Sequence, residues 1–375
     1  MTDPPHRRAE LFRCRFERIL LIKPSSLGDV IHALPVLHLL RRKYPEARVD
    51  WLVNSAFAPL LEGHPDLNEL VVFDRNRYGR MSYSPTVAIE FVRFLRMLRA
   101  RQYDLVVDLQ GLFRTGFLSW ATRAPVRIGF AEAREGASLF YTDRIPPSSQ
   151  DTHAVDRNMK VADFLDMASE LATFHLPVST AALATVRTML GAGGWTAGEP
   201  LVAIVPGARW ATKLWPVDRF AQIARELESE GVRCMILGGN NEAPLSGSFK
   251  RPLPTAVIDL IGRTKLPELV AAISLADVVL CQDSAAMHIA VALGRPLVCL
   301  VGPTNPLRTG PYRRFADVVQ NPVECSPCYL RKLSQCKHEH RCMNELHVAP
   351  VLDAVRRRLP TPGHKPTRYT AVTVP

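Results

Sequence analysis

Four short segments, each following an apolar run, hold side chains whose types and spacing suit proton and phosphate chemistry. In Lys23-Pro24-Ser25-Ser26-Leu27-Gly28-Asp29, Gly28 permits a close approach and Asp29 falls at the start of a helix, where the positive end of the dipole favours the ionised carboxylate. A carboxylate kept ionised in a cleft can act as a general base; the same residue can also be a plain helix cap. In the segment from Pro206 to Pro216, Lys213 either neutralises a departing diphosphate or simply faces solvent. Asp283-Ser284-Ala285-Ala286-Met287-His288 opens a helix with small residues, so its backbone N–H groups are clear to receive an anion. His288, one turn beyond Ser284 on the same face, adds a donor there or is a satisfied core histidine. The fourth segment, Leu237 to Glu242, puts two glycines before an acid. Glu242 is either a partner for a ribose hydroxyl pair or a solvated turn residue.

The elements that must position these residues can be read from apolar periodicity. Arg18 to Pro24 is a branched-apolar strand, and Val30, Ile31, Leu34, Leu37, His38 and Leu40 recur at helical spacing as far as Lys43. Strands follow at Val49–Val53, Val71–Phe73 and Leu105–Leu109, with a helix from about Val87 to Arg101. After a Gly- and Pro-rich stretch from Gly191 to Pro200, read as an interdomain hinge, a second series begins. Its strands are Leu201–Val205, Arg233–Leu237, Val257–Leu260, Val278–Cys281 and Pro296–Val301, and its helices are Val217–Glu230, Pro267–Ser274 and Ala285–Leu293. Strand–helix alternation of this kind predicts parallel sheets covered on both faces, hence an α/β chain of two doubly wound, Rossmann-like halves across a cleft. The expected boundaries are 1–185 for the first domain, 186–360 for the second and 361–375 for a frayed tail. In such sheets ligands sit beyond the carboxyl ends of strands, where all four segments fall.

Composition narrows the function. The chain has 375 residues, 47% apolar and 22% charged, which excludes a disordered chain and suits two domains. No stretch approaches the roughly 20 apolar residues of a membrane helix, and Met1 to Arg18 lacks a signal-peptide core, so the expected location is the cytoplasm. Lys plus Arg 47 less Asp plus Glu 36 gives +11, which suits an anionic partner without choosing one. Neither half carries Gly-x-Gly-x-x-Gly or a Walker lysine loop after a strand, which removes the usual support for a dehydrogenase or a P-loop enzyme. With 7% aromatic residues and no interleaved Arg–aromatic stripe, nucleic acid is not the expected partner.

Several motifs, taken in order, resemble the glycosyltransferase family 9 heptosyltransferases. They are Lys23 to Pro35, Asp108-Leu109-Gln110-Gly111, Arg127-Ile128-Gly129-Phe130, His153-Ala154-Val155-Asp156-Arg157, Pro206-Gly207 with Lys213 and Trp215-Pro216, and Asp283-Ser284-Ala285 with His288. Ala133-Arg134-Glu135 and Ala137 to Tyr141 are similar to the branch that adds the first heptose to the Kdo of lipopolysaccharide. The resemblance covers about residues 18 to 310. It implies a GT-B fold, an ADP-L-glycero-β-D-manno-heptose donor, inversion at the anomeric carbon and neither metal nor other cofactor. Asp29 then matches the base. Gly207, Lys213, Glu242, Thr264, Asp283, Ser284, Ala285 and His288 match donor-binding positions, with Glu242 on the ribose and Thr264 near the adenine. Arg75, Arg77 and Arg80 match a basic segment facing an anionic, lipid-linked saccharide acceptor. Ala208 and Arg209 depart from the family pattern of two threonines before the lysine. The rivals are a GT-B transferase or epimerase for another nucleotide sugar, and a non-catalytic nucleotide-binding module.

Two features lie outside that scheme. Cys325, Cys328, Cys336 and Cys342 cluster, and only the first pair has metal-ligand spacing, so a zinc knuckle, reduced thiols and a disulfide pair all remain open. Arg93, Arg96 and Arg99 read as a solvated helix face. Arg331, Lys332, Arg341, Arg356, Arg357 and Arg358 make the carboxyl end basic, compatible with peripheral contact at the anionic inner face of a membrane.

Overall fold

The computed structural model describes residues 11–149, 151–167, 171–242, 257–360 and 372–374. Two compact units divide the chain between Pro177 and Val178. The expected frayed tail lies almost wholly outside the described residues.

The first unit is built on β1 (Arg18–Ile22), β2 (Arg48–Asn54), β3 (Glu69–Phe73), β4 (Leu105–Asp108), β5 (Val126–Phe130) and β6 (Asp143–Ile145). All pair in parallel in the order β3-β2-β1-β4-β5-β6. Its helices are α1 (Leu27–Ile31), α2 (Leu34–Lys43), the one-turn α3 (Arg75–Tyr78), α4 (Pro85–Ala100), α5 (Phe113–Ala121) and α6 (Ala154–Phe164). The single helix read from Val30 to Lys43 is in fact two. Pro35 sits in the first turn of α2, where its missing N–H is tolerated, so a new helix starts there. Strands β5 and β6 and helices α5 and α6 had no clear periodic signal. They are short, and β5 carries Arg127 and Gly129 inside an otherwise apolar run.

Gly129 explains its own place. A Cβ there would overlap the ring of Tyr141. Elsewhere the first unit's core is aliphatic on the sheet, from Leu20, Ile22, Leu52, Val71 and Val106, and is closed by Phe94 and Leu98 of α4. Strands covered on both faces lose the alternation of half-buried strands and read as continuous apolar runs.

After β7 (Ala172–Phe174) the second unit opens with α7 (Thr180–Ala192). Its sheet holds β8 (Leu201–Val205), β9 (Arg233–Ile236), β10 (Ile258–Asp259), β11 (Val278–Gln282), β12 (Leu297–Leu300) and β13 (Val318–Val319) in the parallel order β10-β9-β8-β11-β12-β13. The helices α8 (Val217–Ser229), α9 (Leu266–Leu275), α10 (Ala285–Ala292) and α11 (Val348–Arg356) follow. The units therefore part earlier than the expected break after 185. The glycines from 191 to 198 are an internal connection between α7 and β8, not a hinge. A Gly-rich helix end and a linker share a composition, whereas buried Val186 and Leu190 commit α7 to the second unit. That unit's core joins Val202, Ile204, Leu280 and Val298 to Phe220, Ile223 and Leu227 of α8 and to Val351, Leu352 and Val355 of α11.

Replacing Gly129 by Ala is expected to lower stability by about 1–3 kcal/mol through overpacking against Tyr141. Gly191→Ala, in the helix α7 with open space around the new methyl, should raise it by about 0.5–1 kcal/mol. Urea unfolding of the two variants beside the parent checks both signs.

Candidate active site

Each sheet reverses its winding between its first and fourth strands, and both reversals gather polar residues. In the first unit the reversal lies between β1 and β4. Lys23, directly after β1, is buried and its ammonium donates to the carbonyl of Leu109 at 2.8 Å. Burial holds its pKa below the usual lysine range, with Asp29 and Asp108 acting against that and Arg157 and Arg134 reinforcing it. Asp29 Oδ1 lies 3.9 Å from the Lys23 ammonium.

Asp29 is the third residue of α1. Its Oδ2 accepts from the backbone N–H of Ser26 at 2.9 Å and from the Ser26 hydroxyl at 2.7 Å, forming a capping box. Asp29 therefore caps the helix, while 41% of its side chain remains exposed. Beside it, Asp108 is fully buried at the end of β4. It accepts from Tyr141 Oη at 2.7 Å and from the N–H groups of Gln110 and Gly111. Burial raises its pKa, and these donors oppose the rise. Asp108 thus shapes the loop through Tyr141, a partner more than 30 residues away in sequence.

A pocket of about 120 Å³ opens at this end of the sheet, lined among others by Ser25, Arg75, Gln110, Arg114 and Glu135. Arg75 belongs to it. Arg77 instead forks onto Glu90 at 2.8 and 2.6 Å, and Arg80 lies exposed on the turn after α3. Of the three expected acceptor arginines, one lines the pocket and one is held by an acid on α4. Arg93, Arg96 and Arg99 are exposed along α4, as read.

In the second unit the reversal falls between β8 and β11. Lys213, in the loop after β8, reaches the loop after β11, where its ammonium meets Asp283 Oδ2 at 2.6 Å. The same oxygen accepts from Thr304 Oγ1 at 2.6 Å, and Asp283 is buried. The Lys213 ammonium also lies 4.6 Å from the centre of the Trp210 ring, which Arg331 approaches at 4.9 Å. Ser284 caps α10 by position only. Its hydroxyl is buried without a hydrogen-bond partner among the described residues, while Ala285 and His288 stand on the same opening turns, partly exposed. A buried hydroxyl beside helix N–H groups is a place where an anionic oxygen would be satisfied.

Glu242 and Gly207 meet across the β8 and β9 loops. A Cβ at 207 would overlap the Glu242 carboxylate, whose Oε2 accepts from the N–H of Gly239. Only glycine lets that acid sit over the end of β8. Thr264 lies in the turn between β10 and α9, near this loop, since Gly262 N–H donates to the carbonyl of Gly238 at 2.9 Å. Arg209 is exposed, and Ala208 is partly so.

The cysteine-rich segment packs onto the Lys213 loop: His340 Nε2 donates to the carbonyl of Thr212 at 2.6 Å, and the Thr212 hydroxyl donates to the carbonyl of Leu330. The four thiols are free, and Cys342 is pushed up to about 11 by burial and by the nearness of Cys328, Cys325 and Cys336. Much of the basic end is internally paired, Arg341 with Glu345, Arg356 with Glu230 and Arg358 with Asp317.

Two parallel sheets of this order, with polar residues collected at each reversal, make each unit a doubly wound, Rossmann-like α/β domain with a ligand crevice at its switch point. The family model described as "Glycosyltransferase family 9 (heptosyltransferase)" matches residues 91–339, more than half of the sequence. The chain belongs to glycosyltransferase family 9. It is 31% identical over 358 residues to lipopolysaccharide heptosyltransferase 1 of Pseudomonas aeruginosa PAO1, covering 90% of this chain and 98% of that one. Against lipopolysaccharide heptosyltransferase 1 of Escherichia coli K12 the identity is 28%, over 82% of this chain and 94% of the relative. Among solved structures, a family 9 glycosyl transferase from Veillonella parvula DSM 2008 superposes with a TM-score of 0.74 at 23% identity, covering 90% of this chain and 97% of that one. E. coli ADP-heptose lps heptosyltransferase II gives 0.71 at 22%, covering 91% and 98%.

Removing the Lys213 ammonium leaves the Asp283 carboxylate buried with Thr304 as its remaining donor. Lys213→Met is expected to lower the unfolding free energy by roughly 3 kcal/mol. Adding Asp283→Asn should recover most of that loss, a coupling that a double-mutant cycle in urea would measure.

Proposed function

We propose that this chain is an inverting heptosyltransferase, moving a heptose from ADP-L-glycero-β-D-manno-heptose to the Kdo region of an inner-core lipopolysaccharide acceptor. The observation that carries the reading is the second unit's reversal point, where Lys213, Asp283 and the unpartnered Ser284 hydroxyl surround the start of α10. That set offers a cation, helix N–H groups and a hydroxyl to a diphosphate. The names of the relatives, lipopolysaccharide heptosyltransferases, support the sugar and the acceptor.

In this reading Asp29 accepts the proton of the acceptor hydroxyl as its oxygen forms the bond to the anomeric carbon. The bond from that carbon to the diphosphate oxygen breaks with inversion, and ADP leaves with its new charge facing Lys213 and the α10 N–H groups. The nearby Lys23 ammonium favours the ionised form of Asp29. Gly207, Glu242 and Thr264 take the nucleoside, and Asp283, Ser284, Ala285 and His288 take the diphosphate and sugar. Arg75, with Arg77 and Arg80 beside it, faces the anionic acceptor.

The acceptor is lipid-linked, and no helix among the described residues is long and apolar enough to cross a membrane. In this reading the enzyme meets that substrate by peripheral contact at the cytoplasmic face of the inner membrane.

Incubation with ADP-heptose, UDP-sugars and GDP-sugars, with and without Kdo-lipid A, tests the whole reading; ADP release is expected only when ADP-heptose and acceptor are both present. Asp29→Asn keeps an acceptor for the α1 cap, so the protein should fold while kcat falls about 10²- to 10⁴-fold. Near-normal turnover by that variant would remove Asp29 from the mechanism. Arg75→Glu should raise the acceptor KM and leave the donor KM unchanged.

A further inference from the structure

A cluster that the transfer reaction does not use lies on the other side of the first unit's architecture. His38 comes from α2, Asp66 from the turn before β3, and His175 from the segment just after β7. Asp66 Oδ2 is 3.1 Å from His38 Nδ1 and 3.3 Å from His175 Nδ1. These three atoms all lie within 4.8 Å of one another. Ligand atoms bonded at about 2.0–2.2 Å to one transition metal are separated by roughly 3.0–3.4 Å, so the two measured separations are those of neighbouring ligands.

The surroundings fix the three side chains. His64 Nδ1 accepts from the Asp66 N–H at 3.1 Å, so its Nε2 carries the proton and donates to the His175 carbonyl at 2.8 Å. One buried imidazole thereby ties the backbone of the carboxylate to the backbone of the second histidine. Arg41 donates to the Asp66 carbonyl at 3.2 Å and grips Asn68 on the far side. The rings of His38 and His175 meet edge to face, 4.5 Å between centres.

Hydrogen bonding alone leaves this arrangement incomplete. His38 Nδ1 has hydrogen-bond geometry to Asp66, but His175 Nδ1 is buried and makes no hydrogen bond among the described residues, although the carboxylate oxygen is 3.3 Å away. His175 Nδ1 and the Asp66 carboxylate oxygen therefore face each other at 3.3 Å without hydrogen-bond geometry, and a cation between them would give each a bond. Side-chain exposures of 19% for His38, 11% for Asp66 and 23% for His175 leave room for entry and for water as the remaining ligands.

We propose that His38, Asp66 and His175 bind a divalent transition-metal ion of the zinc class, which clips α2, the 61–68 turn and the end of the first unit together. Two imidazoles and one carboxylate are a borderline donor set, suited to Zn²⁺ or Co²⁺ and poorly to Mg²⁺ or Ca²⁺. The role is structural, because none of the three residues belongs to the proposed transfer machinery. An ion that binds the folded chain and not the unfolded one stabilises it by mass action.

Cobalt titration of the EDTA-treated full-length protein separates this site from the four cysteines. An imidazole–carboxylate site gives weak visible bands, whereas thiolate ligands add intense near-ultraviolet charge transfer. One equivalent of cobalt with weak visible bands is expected to remain in the Cys325→Ser/Cys328→Ser variant and to vanish in His38→Ala and in His175→Ala. Loss of a ligand should weaken zinc binding by more than the roughly 10- to 100-fold that follows loss of a supporting hydrogen bond. Zinc should also raise the Tm of the parent and not that of His175→Ala. Asp66→Asn keeps the side-chain shape and should likewise abolish the bands, which covers the case in which an alanine variant fails to fold. Cobalt bound only through thiolates, cobalt binding unchanged without His38 and His175, or no binding at all overturns the assignment.

Discussion

Within each unit a lysine spans the point where the sheet changes its winding direction. Helices leave β1 and β4, or β8 and β11, toward opposite faces, so the loops after those strands diverge and leave a crevice that packing cannot fill. Lys23 crosses the first crevice to the carbonyl of Leu109, and Lys213 crosses the second to the carboxylate of Asp283. Without those bridges the loops would carry buried polar groups with nothing to face. With them, Asp29 in one unit and the start of α10 in the other have a defined place.

The two bridges differ in a way that matters for chemistry. Lys23 is enclosed and bonded to a neutral carbonyl, and its charge is felt by the exposed Asp29 at a distance where it polarises without forming a close pair. Lys213 closes directly on a buried acid and stacks near Trp210. In the proposed reaction the first arrangement would leave a carboxylate to take a proton, and the second would hold a cation for an anion that competes for it. Burial makes both expensive to assemble; Thr304 adds a hydrogen bond to the second, and beside the first Tyr141 donates to the buried Asp108.

Much of the candidate site could be read because it sits next to strands. Asp29, Gly207, Lys213, Glu242, Asp283 and Ser284 each follow a strand within eight positions, and the doubly wound rule made them candidates. The arginines expected to face an acceptor were harder to place. Arg75 and Arg77 are two residues apart, yet one lines the pocket and the other is drawn to Glu90, a pairing that depends on where α4 packs. The interdomain boundary was misplaced for a related reason, since glycines mark chain flexibility and not which core a helix joins.

The amino-acid order by itself determined the alternation of strands and helices and the residues at the ends of strands, because these follow from periodicity. Tertiary structure alone decided which distant groups meet. Tyr141 reaches Asp108, Thr304 reaches Asp283, and His38, Asp66 and His175 converge, although no spacing along the chain relates them. Contacts between elements arise from how whole faces pack, and a side chain's partner across such a face leaves no local trace in the sequence.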